Sequence, residues 1–80
     1  MINIGLIGFG YWGPNVAKNI HSNPNLNLQF ICDSKKERLE LAKSIYVGQT
    51  KYEEDYLKLI SNPELTAIAI AVETSGHRLG

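Results

Sequence analysis

Three glycines near the start of the chain constrain its fold more than any other feature. Gly8, Gly10 and Gly13 directly follow an apolar run at residues 2–7 and are interleaved with bulky aromatic residues. The run is short and rich in isoleucine, and glycine ends it, so it predicts a buried strand. A helix is predicted at 12–21, where Pro14 falls in the first turn, whose N–H groups have no intrahelical partner. The glycines therefore predict a tight turn from a strand into a helix.

The rest of the chain continues the same alternation. Further strands are predicted at 26–31, within 46–51 and at 67–72, and further helices at 35–45 and 52–60. The order β-α-β-α-β-α-β predicts right-handed crossovers and a parallel sheet. The segment at 67–72 carries no charge, which predicts a position in the middle of the sheet.

Helix ends and buried faces can be predicted from the same pattern. Ser34 is a candidate N-cap for the second helix, with Glu37 completing a capping box. Its buried stripe is predicted to consist of Leu39, Leu41, Ala42 and Ile45. The third helix is expected to turn three residues inward, namely Tyr56, Leu57 and Ile60.

Composition excludes several classes of protein. The 80 residues allow one domain, and eight basic residues balance eight acidic ones, so no electrostatic footprint for nucleic acid or an anionic membrane is present. No apolar run approaches the roughly 20 residues that span a bilayer. Cys32 is the only cysteine, and we interpret it as a small core residue. No metal-ligand spacing is visible, and we expect a cytoplasmic protein.

The glycines spell G-x-G-x-x-G, and their position between a strand and a helix is the context in which this motif binds a dinucleotide. In that role Gly8 permits the turn, Gly10 lets a pyrophosphate approach the backbone, and Gly13 allows close packing of the helix. N–H groups at the helix start bind the phosphates. We expect the ring of Phe9 to lie in the core.

Asp33 stands 20 positions after Gly13, where a carboxylate can accept hydrogen bonds from ribose hydroxyls. It would repel a 2′-phosphate and so favours NAD over NADP, although Lys35 and Lys36 weaken that preference. The alternative is that Asp33 merely caps a turn.

The segments G-F-G-Y-W-G-P-N, C-D-S-K-K-E-R and N-P-E-L-T-A-I-A-I-A, with His77 shortly after, resemble the N-terminal part of the Gfo/Idh/MocA oxidoreductases over essentially the whole chain. Val72 and Glu73 stand where the family usually has Thr-Pro, whereas His77 keeps the usual spacing. The resemblance implies a Rossmann-type α/β fold with four strands in the order 3-2-1-4, helices on both faces, and an end before the fifth strand. Residues 1–80 would form part of the dinucleotide-binding domain, with the substrate domain absent.

The resemblance also implies a function, namely hydride transfer between NAD or NADP and a sugar, nucleotide sugar or polyol, in an enzyme that we expect to be a homo-oligomer. This chain alone is expected to be inactive and to contain no catalytic residue. The residues expected to bind the cofactor are Gly8, Phe9, Gly10, Tyr11, Trp12, Gly13, Asp33, Ser34, Lys36, Val72 and His77. Two alternatives remain open: a non-catalytic nucleotide-binding module and a methyltransferase that uses S-adenosylmethionine.

Overall fold

The chain folds as a four-stranded parallel sheet with helices on both faces. The computed structural model describes residues 1–46, 48 and 50–71. In chain order its elements are β1 (Ile2–Ile7), α1 (Gly13–Ser22), β2 (Leu26–Cys32), α2 (Lys36–Ile45), β3 (Lys51–Glu53), α3 (Tyr56–Ile60) and β4 (Ala67–Ile70). The order across the sheet is β3-β2-β1-β4, and each neighbouring pair is parallel. The predicted fold class and strand order are confirmed.

The main core lies between the sheet and the helices α1 and α2. Leu6 and Ile31 are fully buried there, together with Ala17 of α1 and Ala42 of α2. Alanines at these positions let both helices approach the sheet closely, because they add little bulk to the contact. Phe9 is also buried in this core, so its ring lies where the sequence predicted.

An irregularity in β2 keeps Leu28 and Ile31 on the same face of the sheet. Leu28 lies opposite Ile4 of β1, but the next pair joins Phe30 to Gly5, so Gln29 is an additional residue in β2. Side chains alternate between the faces of a regular strand, and the additional residue resets this alternation. Leu28 and Ile31 are therefore both buried on the side of α1.

The opposite face of the sheet is covered by α3. A Cβ built on Gly5 would lie 3.2 Å from Leu59 Cδ2 and 2.8 Å from Leu65 Cδ1, so glycine makes room for these two side chains. Leu59 is buried, whereas Tyr56, Leu57 and Ile60 are each more than half exposed. The prediction that those three residues point inward is wrong.

The predicted starts of α2 and α3 are also corrected. The N-cap of α2 is Lys35, without a side-chain hydrogen bond, and not Ser34. The Asp33 carboxylate accepts the Lys35 N–H at 2.9 Å, and Lys35 remains extended, so the helix begins later. The third helix begins at Tyr56 because residues 51–53 pair with β2 and the Asp55 side chain caps the Leu57 N–H.

One prediction about apolar residues fails at the surface. Leu41 and Ile45 of α2 are each 52% exposed, so the buried stripe of that helix narrows to Leu39 and Ala42. Within the described part of the chain, β4 pairs with β1 alone, as the order 3-2-1-4 implies, and the prediction that this strand lies in the middle of the sheet stays a prediction. Among those same residues, no helix has the length and apolar character required to cross a membrane.

Candidate functional site

A pocket of about 360 Å³ opens where β1 and β2 end. Because parallel strands have their carboxyl ends at one edge of a sheet, the residues that follow them meet there, which is the usual ligand position in open α/β sheets. Gly8 and Gly10 line the pocket from the β1 side, and Asp33 and Ser34 line it from the β2 side. The structure thus brings together four of the residues predicted to bind a cofactor.

The turn from β1 into α1 requires glycine at two positions. Gly8 has a φ of 101°, which side-chain-bearing residues rarely adopt. A Cβ on Gly13 would lie 2.2 Å from the carbonyl oxygen of Gly8, so only glycine lets the first turn of α1 lie against the end of β1. The first turn is thereby held beside the pocket.

The start of α1 is suited to an anion. Its N-cap, Trp12, makes no side-chain capping hydrogen bond, and the first turn contains no acidic residue. The positive end of the helix dipole is therefore not offset by a carboxylate from that turn. Backbone N–H groups at such a helix start commonly bind phosphate.

Asp33 connects the glycine-rich turn to the start of α2. Its Oδ2 accepts the Phe9 N–H at 2.9 Å, and its Oδ1 accepts the Lys35 N–H at the same distance. The side chain is almost fully buried. Asp33 therefore does cap a turn, but it also anchors the glycine-rich segment. A carboxylate has about four acceptor positions, so these two bonds leave capacity for a ligand hydroxyl.

Backbone hydrogen bonds hold the rim of the pocket as well. The Gly8 N–H donates to the Cys32 carbonyl at 2.7 Å, and the Asp33 N–H donates to the Glu53 carbonyl at 3.2 Å. The ends of β1, β2 and β3 are thus joined directly beneath the pocket. The position of the Asp33 carboxylate consequently depends on the sheet and not on one flexible loop.

Sequence reasoning missed Arg38, Glu54 and Tyr56, which also line this pocket. The guanidinium Nη1 of Arg38 lies 3.6 Å from Asp33 Oδ2. The positions of two of these residues in the sequence could have indicated that they line the pocket. Arg38 lies in the first turn of the helix that follows Asp33, and Glu54 follows the last residue of β3. The sequence predicts Tyr56 as a core residue, but its side chain is 54% exposed.

The other predicted site residues lie in several places. Tyr11 and Trp12 are 72% and 56% exposed, and their rings meet edge to face 4.8 Å apart at the start of α1. Lys36 lines a smaller recess of about 270 Å³, which it shares with Glu54. Val72 and His77 lie outside the described residues. For all of these, a role in cofactor binding stays a prediction.

Cys32 also lines the pocket, and its surroundings disfavour ionisation of its thiol. Burial raises its pKa to about 11, and the negative charges of Glu53, Asp33 and Asp55 act in the same direction. The nucleophilic thiolate is therefore scarce at neutral pH. Across residues 1–46, 48 and 50–71, no three His, Cys, Asp or Glu side chains are grouped so that they could hold a metal ion.

The sequence matches the model of an oxidoreductase family with an NAD-binding Rossmann fold, GFO_IDH_MocA, over residues 2–79. The chain belongs to the Gfo/Idh/MocA oxidoreductase family. This confirms the resemblance seen in the glycine-rich turn and in the segment around Asp33. No curated protein matches the chain significantly.

Similar solved structures are consistent with membership of this family. Scyllo-inositol dehydrogenase from Lactobacillus casei, crystallised with NAD(H) and scyllo-inositol, is 26% identical with a TM-score of 0.78, and the match covers 96% of this chain and 23% of that one. A probable dehydrogenase from Thermotoga maritima is 30% identical with a TM-score of 0.81, and the match covers 95% of this chain and 22% of that one. An NAD-binding protein from Listeria innocua, 21% identical with a TM-score of 0.79 and covering 95% and 22%, shares the fold. The chain therefore spans less than a quarter of the length of these structures.

Proposed function

We propose that this chain binds NAD and forms the cofactor-binding part of a dehydrogenase that acts on a polyol or sugar. The observation that carries the proposal is the bond from the Phe9 N–H to Asp33, because it ties the G-x-G-x-x-G turn to the acidic residue of the same fingerprint. Gly8, Gly10 and Asp33 then line one pocket. These residues fit a dinucleotide: a close backbone approach for the pyrophosphate and a carboxylate for ribose.

NAD supplies the chemistry of hydride transfer when it is bound, and the residues of this chain bind and orient it. Gly10 leaves space for the pyrophosphate beside the first turn of α1, whose N–H groups bind its oxygens. Asp33 accepts hydrogen bonds from the adenosine ribose, and its charge disfavours a 2′-phosphate, so we propose NAD over NADP. Ser34, an exposed residue, lines the same pocket.

The class of substrate is proposed from the relatives. The Lactobacillus casei structure contains scyllo-inositol, a polyol, which supports a secondary alcohol as the group oxidised. We place the catalytic residues in a substrate domain outside these 80 residues, and we propose a cytoplasmic enzyme. This chain alone is then expected to bind the cofactor without turning over a polyol.

The proposal is tested with Gly10→Val, using Asn19→Val on the exposed side of α1 as the control. Valine at position 10 would occupy the space proposed for the pyrophosphate, so we expect NADH binding, followed by fluorescence, to be abolished. Circular dichroism should show unchanged secondary structure, and the control should bind as the unaltered protein does.

Titration with S-adenosylmethionine distinguishes the proposal from the methyltransferase alternative. Binding of S-adenosylmethionine without NADH would favour a methyltransferase and contradict the proposal. Equal NADH affinity in folded Gly10→Val and in the unaltered protein would remove the glycine-rich turn as the binding site.

A further inference from the structure

We propose that this chain binds a second copy of itself by placing α3 of one copy in a groove between α1 and α2 of the other. This α1–α2 groove has a volume of about 410 Å³ and is lined by Pro14, Lys18, His21, Ser22, Ile45 and Tyr46. Among the described residues, it shares no lining residue with the dinucleotide pocket. The inference is therefore independent of the proposed function.

The α1–α2 groove is held in shape by contacts within one copy. The ring of Tyr46 lies between two others, with its centroid 5.2 Å from that of His21 and 6.4 Å from that of the buried Phe9. The Tyr52 hydroxyl donates a hydrogen bond to the Tyr46 carbonyl oxygen. Ile45 is half exposed and adds an apolar wall beside this ring. A groove that is already ordered loses little conformational freedom on binding, which favours association.

The exposed side of α3 presents apolar residues that such a groove can accept. Leu59 of this helix is buried, whereas three of its neighbours are more than half exposed, namely Tyr56, Leu57 and Ile60. Successive helix residues are about 100° apart, so these three side chains lie within one arc of about 100° and Lys58 lies outside it. Exposed apolar side chains gathered on one surface are typical of a surface that another chain covers.

The charges of the two surfaces favour a second copy as the partner. Residues 1–32 contain Lys18 and no aspartate or glutamate, so the α1 side of the groove carries positive charge alone. Three consecutive acidic residues directly precede α3, namely Glu53, Glu54 and Asp55. A second copy would thus bring carboxylates and an apolar helix together to a groove that is basic and apolar. Complementary charges of this kind steer association and set the orientation of the partners.

The contact is heterologous, because it joins two different surfaces. The groove lies on the side of the sheet that α1 and α2 cover, whereas α3 covers the opposite side. A pair of copies joined in this way keeps one groove and one α3 free, so larger assemblies should form as the concentration rises. Because α3 has only five residues and is about 8 Å long, the contact belongs to the small, transient class.

Sedimentation velocity on the purified chain tests the contact. Every protein carries Ile70→Lys, which removes association through the β4 edge, and circular dichroism checks that each is folded. We expect the average mass of this parent protein to rise with concentration. Ile45→Glu in the groove or Leu57→Glu on α3 should each keep the protein monomeric. Leu41→Glu is the matched control, because Leu41 is as exposed on α2 as Ile45 but does not line the groove, and it should associate as the parent does.

An equimolar mixture of the Ile45→Glu and Leu57→Glu proteins distinguishes this contact from general stickiness. The first protein has an intact α3 and the second an intact groove, so the mixture should form dimers and nothing larger. A parent that stays monomeric would overturn the proposal and leave the groove to a different partner. Undiminished association of either variant alone, or a mixture that stays monomeric, would overturn it as well.

Discussion

Replacing Gly13 with alanine tests whether the close approach of α1 to β1 holds the site together. The new Cβ would lie 2.2 Å from the Gly8 carbonyl oxygen and 2.9 Å from its carbon, and both are backbone atoms. An ordinary contact would require the start of α1 to move by about 1 Å. Ala17 and Ile20 of α1 are packed into the core, so that movement would disturb the main core as well.

Two opposing effects set the magnitude. Alanine is favoured over glycine within a helix by at most about 1 kcal/mol, whereas overpacking costs about 1–3 kcal/mol and occasionally more. We therefore expect Gly13→Ala to lower the free energy of unfolding by about 1–2 kcal/mol, which corresponds to a fall in Tm of several degrees for a domain of this size.

The assay is urea unfolding followed by circular dichroism, with Asn19→Ala as the matched control. Asn19 is exposed in the same helix, so its replacement should raise stability slightly through helix propensity alone. NADH affinity should fall in Gly13→Ala, since the phosphate-binding turn moves with the helix. If Gly13→Ala were as stable as the original protein, the close approach would be unimportant and the reasoning refuted.

Three further predictions concern other parts of the molecule. Asp33→Ala leaves the N–H groups of Phe9 and Lys35 without their acceptor, so urea unfolding should show that the free energy of unfolding falls by about 1–3 kcal/mol. Unchanged stability would show that these two hydrogen bonds are dispensable. The Cys32 thiol should resist alkylation at pH 8.5 until urea unfolds the protein. The free energy of unfolding should fall between pH 9 and about pH 11, because the thiol ionises in the unfolded chain while it stays protonated in the folded one. We propose self-association through the β4 edge, where Ile70 is 68% exposed; Ile70→Lys should reduce light scattering, and equal scattering would exclude this surface.

The sequence alone was sufficient for the architecture and for the centre of the candidate site. Alternation of apolar runs with helical periodicity predicted the β-α order, and that order largely determines a parallel sheet. Gly8, Gly13 and Asp33 could be identified because each meets a local requirement: a positive φ, a missing Cβ, and a carboxylate directly after a buried strand.

Helix boundaries and the rest of the pocket depended on contacts between distant residues. The third helix begins later than predicted because residues 51–53 pair with β2 instead of joining the helix. The helical periodicity of the sequence does not reveal that pairing. Arg38 and Tyr56 belong to different helices, and both line the pocket only because β2 and β3 end side by side. Neither position has a motif that marks it in the sequence.

The additional residue in β2 illustrates the same limit. Regular alternation would have placed Leu28 and Phe30 on one face of the sheet, but Gln29 shifts the register and buries Ile31 beside Leu28 instead. Local spacing along the chain was therefore enough to predict the element types, the glycine-rich turn and the acidic residue that follows β2. The tertiary structure decided which side chains share the pocket, because strand register and helix position are set by packing and not by any one segment.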